Sequence, residues 1–471
     1  MFCAAAGGRR MAIASISNKK EVGIDLTEGS ILRKLLIFAV PIVLTNLVQQ
    51  LYSMVDLAVI GQYVGSIGSV GVSTGGEIAD LMTPIATGFA TAGQIYIAQL
   101  YGAKMEQKVK KSIGTLITMM LLISIVTMIL SIVFCRQILG LLNCPAEAIG
   151  QAESYMIITA IGYPFIFGYN AVVGILRGMG ESKHPLIFIS VAAVINIFAD
   201  ILLVKYIPLE AAGTAIATVL SQVGSFAAAL VFMYRNRERF DFELKAGYFK
   251  MDKEISWILL KLAIPQVVRS MLVRFSMLWV NSHVNAYGLT VSATNSIGTK
   301  IQKFLEVFVN GVDTACAAMI GQNLGARKYD RAAKIVWVTL ACCELIAVVV
   351  CGLCLVFPDE IYGILTTDEA VIELGRRYLQ ILCLHFLISA FTATFQAMVT
   401  GCGFVSLGFV LGVLDGVVAR IGLSLFFFYV MHAGYESYWW GTALARVLTG
   451  TVCFLYFMSG KWKTRKLLTE S

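Results

Sequence analysis

Charge is scarce in this chain: Asp, Glu, Lys and Arg make up 14% of its 471 residues, against roughly 25% in soluble domains. Hydrophobic residues reach 58% and mean hydropathy is +0.78, more apolar surface than a soluble protein of this length could hide. Catalytic signatures are missing as well. There is no HExxH, no GxSxG and no phosphate-cradling glycine loop with lysine, so common hydrolase chemistry and ATP-driven transport have no support. No clustered catalytic set near an interface and no sizeable ligand-binding appendage is visible, which sets a membrane enzyme or a receptor aside. The eleven cysteines are scattered, with no even, loop-borne framework. Cys351 and Cys354 form a CxxC inside an apolar run without polar ligands nearby in sequence, so no metal or redox role is expected. Residues 1–30 lack an apolar core, which excludes a cleavable signal peptide and leaves Met11 as an alternative start.

What the chain does have is apolar length. Twelve runs, near 35–62, 68–99, 112–139, 153–176, 185–205, 210–234, 256–284, 291–323, 333–357, 376–399, 405–430 and 438–459, each approach the ~20 residues that cross a bilayer. Basic residues orient them. The even-numbered gaps carry Lys104, Lys108, Lys110 and Lys111; Arg177 and Lys183; Arg235, Arg237, Arg239, Lys245, Lys250 and Lys253; and Arg327, Lys328, Arg331 and Lys334. The two chain ends are basic too, while the odd-numbered gaps are nearly bare, with Arg136 and Lys205 the main exceptions. By the positive-inside rule both termini are cytoplasmic. The net charge of +8 follows from this topology and implies no nucleic-acid partner. The expected organisation is all-α and polytopic: a cytoplasmic leader (1–30), an N-terminal six-helix bundle (31–235), a cytoplasmic linker (236–255), a C-terminal six-helix bundle (256–460) and a basic tail (461–471).

The two bundles are copies of each other. GFATAGQIYIAQLYGAK (88–104) and GVDTACAAMIGQNLGAR (311–327) align without a gap at an offset of 223 positions, and the same offset relates Gly178 and Gly180 to Gly401 and Gly403. Pro41 matches Pro265 with one residue of slip. With six spans per copy the repeats are parallel, and duplicated halves build a central site between two bundles. The paired glycines at span ends read as close packing and tight turns.

An ionisable group within a span costs several kcal/mol and calls for a reason. Asp56 lies fifteen residues after Pro41, and helical steps back from it meet Tyr52, Gln49 and Thr45. Such a polar stripe must face protein or a cavity. Pro41 removes a backbone hydrogen bond and makes a bend there cheap. Asn196 and Asp200, four apart, share one face of the fifth span, and Thr214, Thr218, Ser221 and Gln222 line the sixth. Asp56, Asn196, Asp200 and Thr218 could close a four-oxygen cluster in which two carboxylates cannot both ionise easily. It suits a proton, or Na+ with the amide and hydroxyl as further ligands; the alternative is that these groups only cap or bond neighbouring helices. In the second half Arg269 and Arg274 lie in the seventh span and Asp415 and Arg420 in the eleventh, with Asp313 and Glu344 as further candidates. They read either as neutralising pairs or as a basic cavity wall for an anionic substrate or acidic partner. His385 reads as a satisfied core histidine. Tyr163, Phe165, Phe167 and Tyr169 read as packing or as stacking partners for flat cations.

LTEGSILRKLLIFAVPIVLTNLVQQLYSMVDLAVIGQYVG near the start, the two GQ-type segments ending Gly102-Ala103 and Gly325-Ala326, and RGMG at 177–180 resemble the multidrug and toxic compound extrusion (MATE) family, over residues 30–460. The resemblance implies two six-helix bundles facing each other in a V. It also implies export of organic cations or other amphipathic compounds against H+ or Na+, with no cofactor, by a monomer in the lipid bilayer of the cytoplasmic membrane. In the branch named for a DNA-damage-inducible protein, the N-terminal bundle holds an aspartate fifteen after the first-helix proline, an Asn-x-x-x-Asp pair and a threonine on the next helix. Pro41, Asp56, Asn196, Asp200 and Thr218 match that coupling set in type and spacing, and Gln49 and Asn170 resemble polar residues of that lobe's cavity. Another branch uses a glutamate in span seven and an aspartate in span ten. Here Arg274 stands near the former place and span ten offers Ser389 and His385, so a C-terminal cation site is not implied. A flippase for a lipid-linked or anionic amphiphile is the alternative, kept open by the arginines, although such flippases usually carry more spans.

Overall fold

In lipid every backbone N–H and C=O must find a partner within the protein, and among the described residues every regular element is helical. The computed structural model describes residues 23–470 except 143 and 241–248; most of the expected leader and part of the linker lie outside the described residues. Twelve long helical units follow in order: α1 (Ile31–Tyr63), α2 (Gly65–Gly102), α3 (Glu106–Val133), α4 (Ile149–Ile161 and Tyr163–Gly178), α5 (Lys183–Tyr206), α6 (Glu210–Arg235), α7 (Lys253–Asn285), α8 (Leu289–Gly325), α9 (Tyr329–Val356), α10 (Glu369–Gly401), α11 (Ser406–Tyr429) and α12 (Glu436–Met458). α4 is bent by 44° between its two segments, at Gly162, just before Pro164. Ten single helices and this bent pair are long and apolar enough to cross a membrane. α2 has the length, 38 residues, but carries Glu77, Asp80, Gln94 and Gln99, polarity it can afford because it packs on both halves. The third apolar run ends early: α3 stops at Val133 and Cys135–Leu141 forms a separate short helix.

In the first half α1 packs on α5, α5 on α6, and α4 on α2 and α3; the second half repeats this, with α7 on α11, α11 on α12, and α10 on α8 and α9. Between the halves α1 meets α8, α7 meets α2, and α2 meets α8. One large apolar core forms in each half, with two small clusters beside that of the first, and α1 and α7 belong to both large cores. Leu35, Phe38, Ala39 and Ile42 of α1 are buried in the core of the second half, whereas Val48 and Tyr52 pack on that of the first. α7 does the reverse: Ile258, Leu259, Leu262 and Ala263 enter the first core, and Val280 and Val284 the second. Pro41 and Pro265 stand beside these crossovers.

The repeated segments meet on the seam between the halves. Gln99 Nε2 donates to Gly401 O at 2.8 Å and Gln322 Nε2 donates to Gly178 O at 2.9 Å. The same two amides accept backbone N–H groups from near the chain ends, Gln99 Oε1 from Leu468 at 3.1 Å and Gln322 Oε1 from Leu26 at 3.2 Å. Both glutamines are fully buried. Approach this close requires glycine. A Cβ on Gly102 would stand 1.9 Å from Gln322 O, and one on Gly325 1.9 Å from Gln99 O.

Charge also joins helices. Buried Arg420 pairs with buried Asp415 at 3.4 Å and donates to Val273 O and Ser276 Oγ at 3.3 and 3.2 Å. Arg274 of α7 meets Asp80 of α2 across the halves at 2.6 Å, in a partly exposed pair.

These contacts predict a graded mutational response, read as thermal melts of the purified protein in detergent. Gly325→Ala should destabilise by about 1–3 kcal/mol through overpacking, whereas Gly140→Ala, with nothing within 4 Å of the added carbon, should not. Asp415→Ala strands a buried guanidinium and should cost ~3–5 kcal/mol. Arg274→Ala should cost under ~1 kcal/mol, the range of an exposed pair.

Candidate functional site

The site in the first half is set by α1, α5 and α6. Pro41 offers no N–H to the carbonyl of Ile37, and Thr45 Oγ1 donates back to Pro41 O at 2.7 Å. Both disturb the ladder locally, yet α1 runs on to Tyr63 and so carries Asp56 to α5. There Asp56 faces Asn196 and Asp200 within interaction range, with Tyr52 beside it and next to Gln222. Asn196 and Asp200 are fully buried and Asp56 half-buried. Neither polar atom of the Asn196 amide, neither oxygen of Asp200, nor Oδ1 of Asp56 makes a hydrogen bond. Buried polar groups left unbonded are uncommon and costly, so this cluster has spare capacity for a proton or a cation. α5 continues as a π-helix from Ile201, directly after Asp200, and such turns often mark functional sites.

No hydrogen bond joins the other candidates to this cluster among the described residues. The Thr218 hydroxyl has no hydrogen-bond partner among the described residues, while the Thr218 carbonyl accepts Ser221 Oγ at 2.7 Å. Asn170 donates its amide to Ile166 O within α4 at 2.8 Å. Gln49 is half-buried. Tyr163, Phe167 and Tyr169 are buried in the first core and pack rather than line a cavity. Tyr155 of α4 lies near Asp56, Asp80 and Asp200, a neighbour that no sequence pattern signals.

In the second half the charges are largely paired. Arg446 of α12 reaches Glu306 of α8 at 3.5 Å and Ser389 of α10. His385 Nε2 lies 3.1 Å from both Glu306 Oε1 and Gln302 Nε2, so it is a bonded core histidine. Glu306 was not among the sequence candidates, although an acid inside an apolar run is the signal that found Asp56. Asp415 and Arg274 are paired as described, and Arg269 is not. Cys351 and Cys383 exchange contacts with each other's carbonyls, Sγ to O 3.4 and 3.7 Å, and no metal-capable cluster occurs among the described residues.

Residues 41–202 and 265–426 each match the MatE family, once per half. Similar sequences include "Probable multidrug resistance protein YoeA" of Bacillus subtilis, 28% identical over 77% of this chain and 79% of that one. "Probable multidrug resistance protein YpnP" of the same organism is 26% identical over 95% and 99%. "Multidrug export protein MepA" of Staphylococcus aureus is 20% identical over 83% and 86%. Among solved structures, an outward-facing conformation of a multidrug resistance MATE family transporter of the MOP superfamily superposes with a TM-score of 0.88 at 19% identity, over 95% of this chain and 99% of that one. A MOP superfamily transporter from Pyrococcus furiosus, described by the reverse polarity of its binding pocket, gives 0.86 at 19% over the same shares. These likenesses fix the fold as twelve helices in two bundles. With a family match spanning most of each half, the chain belongs to the MATE family of multi-pass membrane transporters.

Proposed function

We propose that this chain is a secondary active antiporter of the cytoplasmic membrane, exporting amphipathic organic cations against H+ or Na+ by alternating access. It works as a monomer with both termini cytoplasmic, so that the glutamine seam closes the cytoplasmic side. One observation carries the reading: half-buried Asp56 faces buried Asp200 and Asn196 with these groups unbonded, and Asp56 stands on a helix that changes core beside Pro41. The names of the relatives, multidrug resistance and multidrug export proteins, support a drug-like substrate. Pro41, Asp56, Asn196, Asp200 and Thr218 together favour the DNA-damage-inducible branch.

Loading the pair with a proton or Na+ neutralises negative charge beside the cavity. That weakens attraction for a cationic substrate by on the order of 1–4 kcal/mol at close range. When the halves rock, α1 and α7 must flex, because the ends of each are held in different cores. Pro41 and Pro265 lower the cost at those points. Bending α1 carries Asp56, Tyr52 and Gln49 toward a cavity that Asn170 lines from α4, and the substrate is expelled. Thr218 joins the ion as a fourth ligand in the loaded form. Release of the ion to the cytoplasm restores the binding form; ion and substrate compete, and their coupling is reciprocal. Relatives of the same fold solved in straight and in bent conformations support a bending step.

In proteoliposomes, an imposed pH or Na+ gradient should drive efflux of a fluorescent cation by the wild type and not by Asp56→Asn. The effective gradient names the ion, and transport that survives the substitution refutes the coupling site. Pro265→Ala should slow transport several-fold while cation binding persists; an unchanged rate would show that α7 does not bend.

A further inference from the structure

Three arginines enter the interior of the second half, and two of them are spent. Arg420 holds Asp415, Val273 O and Ser276, and Arg446 holds Glu306 and Ser389. Arg269 of α7 is different. It is half-buried and makes no hydrogen bond or ion pair with any described residue. Asp415, Arg446, Asp313 and Cys453 are near enough to feel its charge. Yet Asp415 is committed to Arg420, and Oδ1 of Asp313 is itself unbonded. A lone cation at this depth is costly unless its head is solvated or paired.

The guanidinium has polar company. It lines a narrow pocket with Gln266 of α7 and Gln396 and Thr400 of α10; the other walls are apolar, and Ile95 of α2 closes the pocket from the opposite half. Neither amide side chain nor the hydroxyl is bonded within the described protein. Four unbonded polar side chains thus converge in an apolar recess, the composition of a ligand site with an orienting anchor. The stem of Arg269 is held in place: a Cβ on Gly412 of α11 would stand 2.8 Å from Arg269 Cβ, so α11 is pressed against it. Arginine's planar fork of donors matches a carboxylate with two parallel hydrogen bonds.

We infer that this pocket is a headgroup subsite for a substrate carboxylate, so that the transporter takes acidic or zwitterionic amphiphiles as well as cations. Arg269 grips the carboxylate, Gln266, Gln396 and Thr400 donate to its remaining lone pairs, and the apolar body lies toward the space between the halves. The pocket admits the headgroup and not the whole amphiphile. Because Ile95 belongs to the other half, rocking the halves opens or closes the subsite. The inference rests on the export reading above.

The test uses the purified full chain, titrated by fluorescence polarisation with a xanthene dye bearing a free carboxylate and with its methyl ester. The acid should bind about tenfold tighter or better, the worth of one charge-assisted bidentate contact. Arg269→Gln should collapse that ratio by weakening the acid far more than the ester, and Arg269→Lys should restore part of it. Gln396→Leu should reduce the ratio several-fold, which covers the case in which Arg269→Gln fails to fold. Equal affinity of the wild type for the two dyes, no binding of either, or a ratio that survives Arg269→Gln overturns the subsite. Gradient-driven efflux separates the two claims. An ester that is exported with no preference for the acid removes the subsite and keeps export; a preferred acid with neither dye moved keeps the subsite and removes export.

Discussion

Two buried glutamines tie the halves of this molecule together, and they do so by solving a problem that lipid imposes. The last carbonyls of a helix have no partner within it, and a buried seam offers no bulk water to supply one. Gly178 ends α4 and Gly401 ends α10; each carbonyl is taken by a glutamine from the opposite half. The second oxygen-side contact of each amide reaches a segment near one end of the chain, Leu26 or Leu468. The seam therefore closes two helix ends, two glutamine amides and both flanking segments in one reciprocal arrangement. Opening it exchanges those bonds for bonds to water, so water must enter as the halves part. Glycine at 102 and 325 is the steric condition for the whole arrangement.

The second constraint is the exchange of helix ends. If α1 and α7 each belonged to one half, the halves could rock as rigid bodies and no helix would need to deform. Because α1 starts in one core and finishes in the other, and α7 does the opposite, relative motion is forced into those two helices. A proline beside each crossover concentrates the deformation. Asp56 stands on the segment of α1 beyond Pro41, facing Asp200 and Asn196 of α5, so in the proposed cycle a change of charge there would act on a helix shared by both halves.

The parts of this arrangement legible in the sequence are those with strong one-dimensional signals. Duplication shows as aligned GQ segments, membrane spans show as apolar length, and Asp56, Asn196 and Asp200 show because polar groups at that depth demand partners. Other features depend on tertiary placement. The exchange of α1 and α7 leaves no periodic trace, since both ends of each helix carry apolar residues. The partners of Arg274 and His385, and the Val273 and Ser276 groups that Arg420 reaches on α7, lie on other helices, at separations that spacing does not encode. Thr218 has the right type and register on α6, yet a hydroxyl's reach depends on a few tenths of an ångström of helix position. Glu306 carries the same signal as Asp56, a polar stripe with Gln302 and Asn310 one helical turn away on either side, so it too was legible in the sequence.

The pseudo-symmetry also isolates where the halves differ. Pro41 and Pro265 are equivalent, and four residues beyond each the side chains are Thr45 and Arg269. Thr45 turns back to its own helix, bonding Pro41 O; Arg269 projects into a pocket without a partner. Further along, α1 carries Asp56 where the equivalent position of α7, fifteen after Pro265, is Val280. One scaffold thus presents acid on one arm and guanidinium on the other, each beyond an equivalent proline. In the proposed cycle a single rocking motion would move both. Ion loading on α1 and acid capture on α7 would then bias the same two-state equilibrium, and each ligand would shift it only by its difference in affinity between the two states.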